Sequence, residues 1–133
     1  MPEQVFGELI RIMERLRGPD GCPWDREQSL GDLARYIREE AVEVEQAVKE
    51  GGPQEIADEL GDLLFNIVFA ARIGEEGGNF DLRRVLEGVR DKIVRRHPHV
   101  FGDEQAETTE DVLRIWQRTK AEERRTAPDG GDG

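Results

Sequence analysis

Sulfur and imidazole are scarce in this sequence: Cys22 is its one cysteine, and His97 and His99 are its only histidines. A single thiol rules out an internal disulfide and leaves no cysteine set for a structural zinc. Long apolar runs are missing too. The longest charge-free stretch is Leu63 to Ala71, far short of the ~20 apolar residues that a membrane-spanning helix needs. No basic segment followed by an apolar run opens the chain, so no secretory leader is expected, and the expected compartment is the cytoplasm. Bases are outnumbered, with 19 Lys and Arg against 30 Asp and Glu, for a net charge of −11. That balance makes a nucleic-acid backbone or an anionic bilayer an unfavourable partner, and neither is expected. Apolar residues make up only 36% of the 133, so the core is thin, a shortage that a helical oligomer would relieve. The length fits one domain, expected over residues 1–125.

What is present is apolar patterning at helical spacing, without β-branched runs of period 2, which predicts an all-α fold. A first helix is expected from about Glu3 to Leu16, carrying Val5, Phe6, Leu9, Ile10, Met13 and Leu16 on one stripe and stopped by Gly18-Pro19. A turn-rich loop follows to Gln28. Ser29 then caps a second helix together with Asp32 and runs it to about Glu50. Gly51-Gly52-Pro53 separates it from a third helix that reaches about Gly74, with proline in the first turn, where its missing N–H costs nothing. A fourth, from about Asp81 to Arg96, is expected to bury Leu82, Val85, Leu86, Val89 and Ile93 before His97-Pro98 stops it. A fifth starts near Thr108 or Thr109 and carries Val112, Leu113, Ile115 and Trp116. Residues 126–133 are glycine-rich and acidic, and disorder is expected there.

The second and third helices carry acids where apolar residues belong. At about 100° per residue, Leu33, Ile37, Val44 and Ala47 fall within roughly 60° of Glu40, in the middle of the apolar stripe, and Glu43 follows one turn along. On the third helix Ile56, Leu63, Ile67 and Ala70 surround Glu59 on one side, while Asp62 and Asn66 continue the row on the other. Four ionised carboxylates buried together would lose hydration and repel one another, at a cost of many kcal/mol. Only Arg38 and Lys49 supply positive charge between residues 38 and 62, against nine acids, and neither points along the row. A divalent cation is the simplest counter-charge, and an all-oxygen set suits Mg²⁺ or Mn²⁺. No Glu-x-x-His occurs, which argues against a di-iron carboxylate bundle. A solvated acidic face, or ion pairs with arginines of neighbouring helices, would account for the same residues, and the pattern alone leaves both readings open.

These residues sit in familiar blocks. Glu39-Glu40-Ala41-Val42-Glu43, followed after fifteen residues by Glu59-Leu60-Gly61-Asp62, resembles the EExxE…ExxD signature of the MazG family of nucleoside triphosphate pyrophosphohydrolases. The loop Leu16-Arg17-Gly18-Pro19-Asp20-Gly21-Cys22-Pro23-Trp24-Asp25 with Gln28, the segment Asp91 to Phe101 with its Arg96-His97-Pro98-His99 core, and Trp116-Gln117 with Lys120 resemble that family as well. Together the blocks cover the chain to about Glu123. The resemblance implies an all-α, four-helix-type core assembled from two subunits, Mg²⁺ dependence, and hydrolysis of an NTP or dNTP to the monophosphate and pyrophosphate. Better-known members carry two such domains in tandem, whereas this chain has room for one.

By the family pattern Glu40, Glu43, Glu59 and Asp62 would be the metal ligands; Glu39, by its place next to that row, would orient the attacking water or lie exposed on its helix. An acidic protein can hold a triphosphate only through metal ions and a local cluster of bases. Residues 83 to 125 hold eleven bases against nine acids, and Lys92, Arg96 and Lys120 are the candidates there, with surface ion pairing as the alternative. Trp116 shares a face with Lys120 and would stack on the base or fill the core. Trp24 and Asp25 would close a loop over the base or sugar, or only anchor it, and Asn66 would extend the acidic row toward substrate. Two other functions fit the pattern: a narrower dUTP- or dCTP-type pyrophosphatase, and a non-catalytic, nucleotide-binding helical oligomer.

Overall fold

The structure, a computed structural model, describes residues 1–126. Among them every regular element is helical: α1 (Pro2–Leu16), α2 (Pro23–Glu27), α3 (Leu30–Glu50), α4 (Pro53–Glu76), α5 (Leu82–Arg96), α6 (Pro98–Phe101) and α7 (Thr109–Thr126). No helix among the described residues is long and apolar enough to cross a membrane. Thr126 ends α7, and the remainder of the expected disordered tail, 127–133, lies outside the described residues. The chain divides into two compact units, Met1–Arg83 and a second from Arg84 onward.

Local chemistry sets the helix ends of the first unit. Ser29 Oγ accepts from the Asp32 N–H at 3.1 Å while the Ser29 N–H donates to Asp32 Oδ2 at 2.9 Å, the reciprocal box expected from the sequence. Pro53 opens α4 in its first turn, and Gly78, at φ 72°, takes the left-handed turn that follows. The helix runs past Gly74 to Glu76, because that glycine is not a stop: a side chain there would collide with the Phe80 ring packed against it. The expected loop 18–28 contains α2, and a further short helix, α6, follows His97. Both are single turns started by proline, whose fixed φ favours a helical first residue.

With only Gly51 and Gly52 between them, α3 and α4 fold back on each other as a hairpin, and α1 packs on α4. Met13, Leu33, Val68 and Phe69, each no more than 3% exposed, form the core, and Phe6, Leu9, Tyr36, Phe65, Ala70 and Ile73 surround it. Phe65 meets Phe69 edge-on at 6.0 Å between ring centres.

In the second unit Thr108 Oγ1 caps α7 by accepting from the Asp111 N–H at 3.1 Å. Ile115 and Thr119 are the buried residues of that helix. The fourth expected helix forms as α5, but its stripe is not buried: Val85, Leu86, Val89 and Ile93 are 37%, 44%, 51% and 46% exposed. Amphipathic spacing marks a face that needs cover, and among the described residues this one is only partly covered.

Arg95 and Arg96 both reach Glu123, at 2.7 and 2.8 Å, and hold its carboxyl down to about 2, Arg96 being the larger cause. A depressed carboxyl stabilises the fold fully above its ordinary value near 4.5 and loses that contribution as pH falls toward about 2. Glu123→Gln is therefore expected to cost about 1 kcal/mol near neutrality, the scale of a partly solvated charged hydrogen bond. The gap from wild type should close between pH ~4.5 and ~2 in thermal melts. A gap that stays constant through that window would mean that the pair contributes nothing through its charge.

Candidate active site

The α3–α4 hairpin brings three of the four expected ligands together. One carboxylate oxygen each from Glu40, Glu59 and Asp62 lies within 4.8 Å of the others. Glu59 and Asp62 are three residues apart and so share a face of α4, while Glu40 approaches from α3. Glu40 and Glu59 are half-buried and Asp62 is exposed. Burial, first, then the negative charges of Asp62, Glu43 and Glu39 push the Glu40 carboxyl above the usual carboxylate range. Glu59 is pushed the same way by burial and then by Glu40, Asp62 and Glu43. Glu40 Oε2 is buried without a hydrogen-bond partner among the described residues. Such an atom is costly unless something else satisfies it.

These properties fit a hard divalent cation. Three carboxylate oxygens within 4.8 Å of one another form the hard, all-oxygen donor set that such an ion favours. A buried oxygen with no proton donor and a set of mutually repelling carboxylates are what a cation would satisfy.

Glu43 is exposed and lies outside that trio, although close enough for its charge to act on both Glu40 and Glu59. Together with Glu59, Glu50, Glu55 and Asp58 it lines an adjoining groove of about 450 Å³ beside the Gly51 turn. The helical wheel put Glu43 one turn from Glu40 but could not say where α4 would cross. Glu39 is exposed next to Glu40, and Asn66 is half-buried one turn beyond Asp62.

Trp24 is 54% exposed on α2, its ring 5.9 Å from that of Tyr36, which lies one turn before Glu40 on α3. The Arg35 guanidinium covers the other partner of this pair, 4.9 Å from the Tyr36 ring centre. Asp25 is half-buried, and its main-chain carbonyl accepts from Arg17 Nη1 at 2.7 Å. The helical periodicity gave no signal for Tyr36 or Arg17 as site residues.

The remaining candidates belong to the second unit. Lys92 is half-buried and lines a cleft with Arg84, Asp91 and Arg95 on α5 and Glu123 on α7. Arg96 is engaged with Glu123, so a phosphate there would have to exchange for that carboxylate. Lys120 is exposed. Trp116 is half-buried, its ring edge-on to His97 at 5.5 Å, and its buried Nε1–H has no partner among the described residues. His97 Nδ1 lies 2.6 Å from the Ile93 carbonyl, and its ring is 5.3 Å from that of His99.

Comparison with known proteins gives a consistent result. A model of the MazG nucleotide pyrophosphohydrolase domain matches residues 28–101. The nucleoside triphosphate pyrophosphohydrolase of Escherichia coli K12 is 46% identical over 117 residues, which are 87% of this chain and 44% of that protein. The nucleoside triphosphate pyrophosphohydrolase/pyrophosphatase MazG of Thermotoga maritima is 41% identical over 120 residues, 90% of this chain and 46% of that one. The chain thus spans about half the length of the curated relatives it matches. The crystal structure of a mazG-related protein from Thermotoga maritima superimposes with a TM-score of 0.74 at 30% identity, covering 86% of this chain and 98% of that chain.

Proposed function

Since the chain belongs to the MazG nucleotide pyrophosphohydrolase family, we propose that it hydrolyses nucleoside triphosphates, ribo- or deoxyribo-, to the monophosphate and pyrophosphate, removing aberrant or excess nucleotides from the pool. The observation that carries this reading is the cluster of Glu40, Glu59 and Asp62, in which Glu40 keeps a buried oxygen, Oε2, without a hydrogen-bond partner among the described residues.

Mg²⁺, with Mn²⁺ as a substitute, is the cation we assign to these three carboxylates, with Glu43 as a fourth ligand. When bound, such an ion neutralises phosphate charge and lowers the pKa of a coordinated water. The chain's own residues do the rest. Glu39 holds the attacking water through its carboxylate. The water oxygen adds to the α-phosphorus and gives up a proton to solvent, the bond from that phosphorus to the bridging oxygen breaks, and pyrophosphate leaves with the bridging oxygen. Trp24 contacts the base with Asp25 beside it, and Asn66 offers an amide to the substrate. For the second unit, Lys92, Arg96 and Lys120 are assigned to phosphate and Trp116 to the base. The exposed α5 stripe supports assembly with further copies of the chain, a dimer at the least.

The specificity is tested by pyrophosphate release from a panel of ribo- and deoxyribonucleoside triphosphates. Turnover of many members is the expected result. Turnover confined to dUTP or dCTP would replace this reading with a narrow pyrophosphatase, and binding without turnover would make the protein a nucleotide-binding oligomer.

A further inference from the structure

Arg17 is engaged on every nitrogen of its guanidinium. Its side chain is only 7% exposed although it stands at the end of α1, next to a surface loop. One guanidinium nitrogen, Nη1, donates to two main-chain carbonyls that bracket the end of α2, Asp25 O at 2.7 Å and Gln28 O at 3.0 Å. The other two donate to the carboxylate of Glu76 near the end of α4, Nη2 at 2.5 Å and Nε at 3.2 Å. The guanidinium carbon also lies 5.7 Å from the centre of the Phe69 ring in the core. Arg72, one turn earlier, pairs its charge with the same Glu76 at 3.4 Å without a hydrogen bond from that nitrogen. Only a planar fork of donors can meet two carbonyls on one side and a carboxylate on the other, and lysine cannot copy it.

Two features suggest that this clamp does more than hold a loop. The segment it fixes carries Trp24, an indole left 54% exposed where burial would stabilise the fold. The ring against which Trp24 rests, Tyr36, stands one helical turn before Glu40 of the carboxylate cluster. We propose that Arg17 is a positioning residue for substrate binding: by tying the Asp25 and Gln28 carbonyls to Glu76, it holds the Trp24 indole on Tyr36 in the orientation that receives the nucleobase. The inference rests on the reading that Trp24 meets the substrate, and it adds the residue that fixes where Trp24 points. Loss of the clamp therefore weakens binding of the base and leaves the chemistry at the carboxylates unchanged.

The test combines kinetics with ¹⁹F NMR of protein carrying 5-fluorotryptophan. The sequence has two tryptophans, Trp24 and Trp116, so two resonances appear, and Trp24→Phe assigns them. Arg17→Lys is expected to raise KM about tenfold, with kcat within about twofold of wild type, for the triphosphate that wild type turns over fastest. The Trp24 resonance alone should shift or broaden. In the Trp24→Ala background the same substitution should add little, because both act through one contact. Glu76→Gln loosens the anchor without removing Arg17 and should move KM and the Trp24 resonance in the same direction by less, which keeps the test decisive if Arg17→Lys does not fold. If Trp24→Ala leaves KM unchanged, the substrate reading of Trp24 falls and the inference falls with it. If Trp24→Ala raises KM while Arg17→Lys and Glu76→Gln leave KM and the resonance alone, only the positioning role is overturned.

Discussion

Glu40→Gln is expected to lower pyrophosphate release by about 10³-fold or more while raising the melting temperature of the metal-free protein. The two effects have one cause. In the absence of a cation the Glu40 carboxyl is pushed upward by burial and by Asp62, Glu43 and Glu39, so its charged form opposes folding. The sign is that of a raised carboxyl: its contribution is most favourable at low pH and is lost as pH rises through the folded-state value, above the ordinary 4.5. A neutral amide of the same shape removes that repulsion, and the metal-free variant should melt a few degrees higher at neutral pH. Adding Mg²⁺ reverses the order. A ligand at 100 times its dissociation constant stabilises the folded state by about 2.7 kcal/mol, and wild type should gain this where the variant gains little. Calorimetry with and without Mg²⁺, beside the activity assay, reads both signs. A variant destabilised without metal would mean that Glu40 is an ordinary structural residue.

Val89→Asp is expected to separate the assembly into single chains. Leu82, Val85, Leu86, Val89 and Ile93 recur at i, i+3, i+4, i+7 and i+11 along α5, the spacing of a face built to be covered, yet each of the last four is more than a third exposed. A carboxylate in the middle of such a face, buried against a second copy without a partner, should weaken association by about 100-fold or more. Light scattering on the wild type should return at least twice the chain mass of 15.1 kDa, and on the variant the chain mass itself. Val89→Ala, which only trims the contact, should fall between them at low concentration. Wild type at the mass of one chain would leave the stripe without an occupant and end the oligomeric reading.

How far the sequence alone reached depended on the range of the interaction. The Ser29–Asp32 box, Pro53 in the first turn of α4 and the Thr108 cap of α7 are contacts within four residues, and they were legible as spacing. The facing of Glu40 toward Glu59 and Asp62 was also legible, because acids on an apolar stripe contradict the pattern around them. Where α4 crosses α3 was not. That crossing gathers three of the row and leaves Glu43 on the neighbouring groove. The single turns α2 and α6 are shorter than a period and could not register as periodicity. Arg17 was invisible for a different reason: its partners include Glu76, 59 positions away, and two main-chain carbonyls, which no side-chain pattern encodes. The stripe on α5 was seen correctly as a face and wrongly as a buried one, since periodicity reports that cover is needed and not whether the fold supplies it.

The bond that breaks is the most direct test of whether this carboxylate cluster serves triphosphate hydrolysis. With a turned-over triphosphate in H₂¹⁸O and Mg²⁺, mass spectrometry should find monophosphate and pyrophosphate as the products, one ¹⁸O in the monophosphate, none in the pyrophosphate, and no reaction with EDTA. Release of orthophosphate and diphosphate, label in pyrophosphate, or turnover that persists in EDTA would contradict it.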